Sequence, residues 1–148
     1  MSTQYLSWFG MVRLGLVQMA LGSIVVLTTS TLNRVMVVEL ALPAMLPGAL
    51  VALHYAVQML RPRWGHGADQ GGRRTPWILG GMALLALGGV AAAAATVLMA
   101  SAPGPGIAAA VVAFLAIGVG VGAAGTNLLA LMAVRVAPAR RPAAATIA

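Results

Sequence analysis

A chain of 148 residues, 61% hydrophobic and 7% charged with a mean hydropathy of +0.96, lies far from the roughly 45–50% apolar and 25% charged of soluble domains. That composition excludes a soluble globule and points to an all-α, polytopic membrane protein with room for about four or five spans of about 20 residues each. Nine arginines face only Glu39 and Asp69, lysine is absent, and the formal charge is +7. Because the arginines flank apolar segments, they read as topology determinants and snorkelling anchors in a lipid bilayer, and no nucleic-acid partner is expected. With no cysteine, disulfides, iron–sulfur clusters and Cys-ligated zinc are excluded.

Residues 1–13 bring Tyr5, Trp8 and Phe9 together ahead of Arg13 and read as an interfacial N-terminus. The first span is expected from Leu14 to Leu32, uncleaved because no A-x-A-like site follows a short apolar run, with its helix continuing to about Leu42. Pro43 and Pro47 bracket the start of the second span, Ala44 to Leu60, since proline is tolerated in a first helical turn. Arg61-Pro62-Arg63 ends it, and Trp64 to Thr75 is expected as a glycine-rich, charged turn. Pro76 opens the third span, which reaches about Ala100; Ser101 to Gly106 is expected as an uncharged tight turn before the fourth span, Ile107 to Val134. Residues 14–142 would thus form a four-helix transmembrane segment, and 143–148 the truncated start of a fifth span.

Loops rich in Lys and Arg stay cytoplasmic. If four spans alternate, Arg13, Arg61, Arg63, Arg73, Arg74, Arg135, Arg140 and Arg141 share one side and only Arg34 lies on the other. The N-terminus, the 61–75 loop and the C-terminus are therefore expected on the cytoplasmic face of the membrane.

Gly15, Gln18, Gly22, Thr29 and Asn33 form one stripe of small and polar residues along the first span, which suits close helix packing. Gly80-Gly81 and Gly88-Gly89 in the third span, and Gly118, Gly122 and Gly125 in the fourth, suit it equally. Val51, His54, Gln58 and Arg61 share a face in the second span, and since an ionisable residue at His54's depth is a candidate functional site, His54, with Gln58, is the candidate pigment or ligand contact. Its imidazole has two open roles: a hydrogen bond to Gln58 or a neighbouring helix, or a ligand to a metal such as the magnesium of a chlorophyll-type pigment. Arg34 and Glu39, five residues apart, fall on different helix faces and, with Asn33, are candidates to line an outer vestibule. No nucleophile–base–orienter set, paired carboxylates or phosphate-cradling loop is visible, so no enzyme activity and no protein-bound metal are expected.

Residues 65–74, Gly65-His66-Gly67-Ala68-Asp69-Gln70-Gly71-Gly72-Arg73-Arg74, have the spacing G-x-x-x-D-x-x-G-R-R between the second and third spans. Here Gly65 would let the second span turn tightly, Gly72 would relax the loop, and Asp69 would accept from Arg73 or a helix N-terminus. This loop resembles the signature loop of the major facilitator superfamily. The flanks LNRVM and EL at Leu32 to Leu40, the Arg61-Pro62-Arg63 exit and NLLALMAVRVAPARRPAAATI near the C-terminus resemble the PucC/LhaA branch, with the likeness running from about Arg13 to Ile147.

The resemblance implies a factor of purple phototrophic bacteria that helps antenna polypeptides and bacteriochlorophyll assemble into light-harvesting complexes, by delivering or handling pigment in the cytoplasmic or intracytoplasmic photosynthetic membrane. It also implies twelve spans, so the chain is expected to be the first third of a longer protein. Gly120-Val121-Gly122-Ala123-Ala124 is similar to the tail of a second superfamily motif, but Ala116 stands where that motif carries the arginine associated with proton coupling. The alternatives are a generic secondary transporter of a small solute or a non-functional truncated product.

Overall fold

A computed structural model describes residues 5–147, so the first four residues of the interfacial segment and Ala148, the end of the expected tail, lie outside it. The described chain is built from helices. Helix α1 runs from Trp8 to Glu39, α2 from Met45 to Gln58, α3 from Arg61 to Gln70, α4 from Thr75 to Ser101, α5 from Pro103 to Arg135 and α6 from Arg141 to Ile147.

Ser7 starts α1 by accepting a hydrogen bond on Oγ from the Gly10 N–H at 3.1 Å, which satisfies one of the four donors that every helix start leaves open. Along α1 the ladder widens into π-helical turns at Leu27–Thr31 and Val35–Glu39, with the Leu40 N–H donating back to the Val35 carbonyl. Thr28 and Thr29 donate their hydroxyls to the carbonyls of Ile24 and Val25 just where the spacing changes, so the altered backbone keeps its partners away from water. The helix stops at Glu39 rather than near Leu42, because Ala41 takes a left-handed φ of 51° and turns the chain toward Pro43.

Three helices, α1, α4 and α5, are long and apolar enough to cross a membrane. Helix α2 differs from the expected second span. Its 14 residues rise about 21 Å, short of the roughly 30 Å of hydrocarbon, because the chain is not helical until Met45 and turns at Met59 and Leu60.

The 64–75 segment corrects the reading of an open turn. Arg61–Gln70 is a helix, begun with Pro62 in its first turn, and the true break falls at Gly72, whose φ of 64° is costly for any residue with a Cβ. Glycines at 65 and 67 misled the local reading, since tertiary contact outweighs their weak helix propensity: Trp64 lays its ring on Gly122 of α5. The expected turn at Ser101 to Gly106 is likewise shorter. Only Ala102 separates α4 from α5, and Pro103, Gly104 and Pro105 form the first turn of α5, where their missing or free N–H groups cost nothing.

Helices α4 and α5 form an antiparallel hairpin with backbones in near contact. A Cβ on Gly81 would lie 2.6 Å from the Ala124 nitrogen, one on Gly120 2.7 Å from the Leu85 nitrogen, and one on Gly88 3.1 Å from that of Ile117. Leu85, Ala92, Ala113, Phe114 and Ile117 fill the seam. The other glycine of each pair, Gly80 and Gly89, meets nothing or only the Ile24 and Thr28 methyls. Helix α1 packs across this hairpin, with Leu21 against Gly125, and its N-terminal end is tied to the far end of α5 by the Leu6 N–H donating to the Arg135 carbonyl at 2.8 Å.

These contacts fix the path of the chain. The start of α1 lies beside the end of α5, and α4, antiparallel to α5, starts at that same end. Between Glu39 and Thr75 the chain therefore returns to the end of the bundle at which it began, and α2 and α3 make that return along α5. The expected stripe on α1 is partly borne out in position: Gly15 is buried and Gln18, Thr29 and Asn33 are half-buried, but Thr28, not Thr29, is the buried threonine, and a methyl added at Gly22 would meet nothing within 4 Å.

Candidate functional site

His54, on α2, lies against the middle of α5 and is fully buried, because α2 lies directly on the α5 backbone: a Cβ on Gly118 would stand 2.8 Å from the His54 carbonyl oxygen and 3.1 Å from Val57 Cβ. Gln58, one turn on, places its Nε2 at 2.8 Å from His54 Nε2, and Arg61 donates to Gln58 Oε1. This order fixes the protons. A guanidinium only donates, so Gln58 must turn its carbonyl to Arg61 and its amide N–H to the histidine. A ring nitrogen that receives an N–H keeps its lone pair for that bond, so the proton of His54 resides on Nδ1. Nδ1 is buried without a hydrogen-bond partner among the described residues, at a cost of about 1–3 kcal/mol for an unmade bond.

The same arrangement tests the pigment-ligand role. An axial ligand to magnesium must present a free lone pair to open space, whereas His54 offers one nitrogen to Gln58, carries hydrogen on the other, and shows no exposed surface. A macrocycle does not fit His54 in this conformation. His66, the other histidine, lies on α3 and pairs through Nε2 with Gln70 at 2.9 Å.

Asp69 accepts from Arg74, five residues on, not from Arg73, because the Gly72 turn brings residue 74 back over the end of α3 while Arg73 stays exposed. Gly65, rather than turning the chain, lies within α3 and faces α5, where an added Cβ would stand 3.5 Å from the Thr126 methyl. The Asp69 carboxylate is more than half exposed. Asp69→Asn is therefore expected to lower the unfolding free energy by less than about 1 kcal/mol, a difference that thermal melts at low and high salt should show shrinking as salt rises.

At the other end of α1, Asn33 is half-buried and Arg34 and Glu39 are exposed. Among the described residues Arg34 and Glu39 form no ion pair, although the π-helical turn between them brings positions five apart closer to one side. His54 with Gln58 and the residues of the Asp69 loop are each gathered by the fold, but the two groups and the Asn33 end remain three separate places.

Sequence reasoning missed an apolar groove of 450 Å³ between α1 and α4, lined by Ile24, Leu27, Thr28, Leu32, Gly89 and Val90. The pair Gly88-Gly89 was its only sequence signal: Gly88 closes the hairpin, and Gly89, rotated by about 100°, opens the groove. Among the described residues no group of three His, Asp or Glu stands close enough to hold a metal ion.

A family profile described as "PUCC protein" matches residues 31–148. The chain is 59% identical over 142 residues to the "Bacteriochlorophyll synthase 44.5 kDa chain" of Rhodobacter capsulatus, covering 96% of this chain and 33% of that relative. It is 40% identical over 80 residues to "Protein PucC" of Cereibacter sphaeroides, covering 51% of this chain and 17% of the relative, and 38% identical over 86 residues to "Protein PucC" of Rhodovulum sulfidophilum, covering 55% and 19%. The chain thus spans about a third of the length of the first of these and less of the others. No solved structure matches the chain at a significant level. With the profile covering most of its length and passing through α2, α3 and the Asp69 loop, the chain belongs to the PUCC protein family.

Proposed function

We propose that the protein is a membrane-embedded, non-enzymatic factor for assembling light-harvesting complexes in a photosynthetic bacterium, and that it handles bacteriochlorophyll on the way to the antenna polypeptides. The observation that carries this reading is the family match over residues 31–148, together with a relative named for bacteriochlorophyll. The word synthase in that name brings no catalytic set to this chain.

Four crossings of the bilayer and the architecture of the major facilitator superfamily belong to the same proposal. What supports them is the return of the chain between Glu39 and Thr75: if α1 crosses, the short α2 with its flanks must cross back. The crowding of arginines at the Arg13 and Arg135 end supports a cytoplasmic N-terminus at the inner membrane.

Within this reading His54 is a positioning residue. It holds Gln58, and through it Arg61, in the exit from α2, and pigment meets the apolar surface of the helices from the bilayer side. His54→Phe keeps the volume and removes the hydrogen bond. It is expected to leave copurified bacteriochlorophyll within about twofold of wild type while lowering the melting midpoint. Lost pigment with an unchanged midpoint would make His54 a ligand. Deleting the gene should lower antenna complex levels; unchanged levels in the deletion strain would overturn the assembly reading itself.

A further inference from the structure

One face of α1, one face of α5 and the start of α4 enclose a cavity of 350 Å³ at the end of the bundle where the arginines gather. Arg13 and Arg135 both line it, with Thr75, Leu14, Val17 and Leu131. The two cations enter from opposite helices. Arg13 is one turn above Val17 on α1, and Arg135 one turn beyond Leu131 on the antiparallel α5, so each guanidinium stands at the shallow end and each aliphatic residue deeper along the spans.

Neither arginine has a side-chain hydrogen bond or ion pair among the described residues, whereas Arg74 and Arg140 at the same end are engaged. Arg74 is paired with Asp69, and Arg140 lies over the Trp8 ring at 5.9 Å and donates to the Leu6 carbonyl at 3.3 Å. The remaining acid, Glu39, is at the opposite end of α1. Two like charges facing one cavity, with no carboxylate left to neutralise them, call for an anion. The N–H groups at the start of α4 add to that field but do not create it.

From this juxtaposition we infer that the cavity is a binding site for the headgroup of an anionic glycerophospholipid. The phosphodiester sits between Arg13 and Arg135, and the acyl chains run along Val17 and Leu131 into the bilayer. The charge selects an anion, and the apolar lower wall selects one that carries chains, in the manner of basic pockets between membrane helices. A free phosphate would satisfy the arginines but leave that wall bare.

The test uses the chain in mild detergent, titrated with phosphatidylglycerol, phosphatidylcholine and inorganic phosphate and read by native mass spectrometry. Wild type is expected to retain phosphatidylglycerol roughly tenfold more strongly than phosphatidylcholine, given the typical gain per basic residue near an anionic lipid. Arg13→Gln combined with Arg135→Gln should bring the two lipids to within about twofold, and Arg13→Lys with Arg135→Lys should keep most of the preference. Arg63→Gln with Arg141→Gln, which removes the same charge from positions that do not line the cavity, should leave the preference unchanged. Equal binding of both lipids by wild type, or equal loss in the Arg63 and Arg141 variant, overturns the site. Displacement of phosphatidylglycerol by inorganic phosphate at matched concentration overturns the lipid and leaves a free-anion site. Should the glutamine pair fail to fold, as circular dichroism would show, loss of preference in the folded lysine pair also counts against the inference.

Discussion

Gly81→Ala is expected to destabilise the chain by about 3 kcal/mol, at the upper end of the usual cost of overpacking, whereas the same change at Gly80 should stay within about 1 kcal/mol of wild type. The added methyl at 81 would stand 2.6 Å from the Ala124 nitrogen and 2.8 Å from the Gly120 carbonyl oxygen, and both belong to the α5 backbone. A side chain could rotate away, but a helix backbone can only move as a whole, so α4 and α5 must separate along their seam. At Gly80 a methyl meets nothing within 4 Å. Unfolding midpoints of the two single variants in the same detergent provide the check, and equal midpoints would mean that the hairpin is not packed backbone to backbone.

Gly122→Ala should have the next largest effect, and a different one. The new Cβ would fall inside the Trp64 ring, so the indole must swing out and α3 must lose its hold on α5. The bundle of α1, α4 and α5 should survive, because its own contacts are not involved. Cleavage by trypsin after Arg63 is the readout, expected to rise by about tenfold as that segment opens more often, in line with a loss of about 1.4 kcal/mol of local stability. Trp64→Ala should speed cleavage in wild type but add little in the Gly122→Ala background, since one contact is lost only once. Cleavage of Gly122→Ala at the wild-type rate would show that Trp64 does not anchor the segment.

Both predictions turn on glycines that share a sequence signature with neighbours that matter far less. Gly80 and Gly81, or Gly88 and Gly89, are equivalent in composition, and the helices that carry them are apolar nearly all round. In a soluble amphipathic helix the polar face would tell the reader which side is inside. Lipid removes that contrast, so the face that meets another helix is decided by fit and not by polarity.

The Asp69 loop shows the same limit. Its spacing announces a break, and Gly72 with its positive φ is where the break occurs, but the helix before it, through Gly65 and Gly67, depends on Trp64 finding Gly122 far along the chain. That Arg74 and not Arg73 reaches Asp69 follows from the turn geometry at 72, which spacing alone leaves open. His54 was legible as a buried polar residue on the Gln58 face. Its proton placement was not, because that follows from Arg61 setting the direction of the Gln58 amide.

Composition and the arginine pattern were enough to read a helical membrane chain and the approximate course of its long apolar helices, because hydrocarbon forces backbone groups to pair within each helix and so ties local sequence to local structure; the family resemblance rested on the 65–74 loop and its flanks. The partners of those helices were legible only after folding. Which glycine seals the α4–α5 seam, why α2 is short, how α3 returns along α5, and how Arg13 and Arg135 come to share one cavity are all matters of contact between distant segments, and a helix that is apolar on every side carries no local mark of the neighbour it will meet.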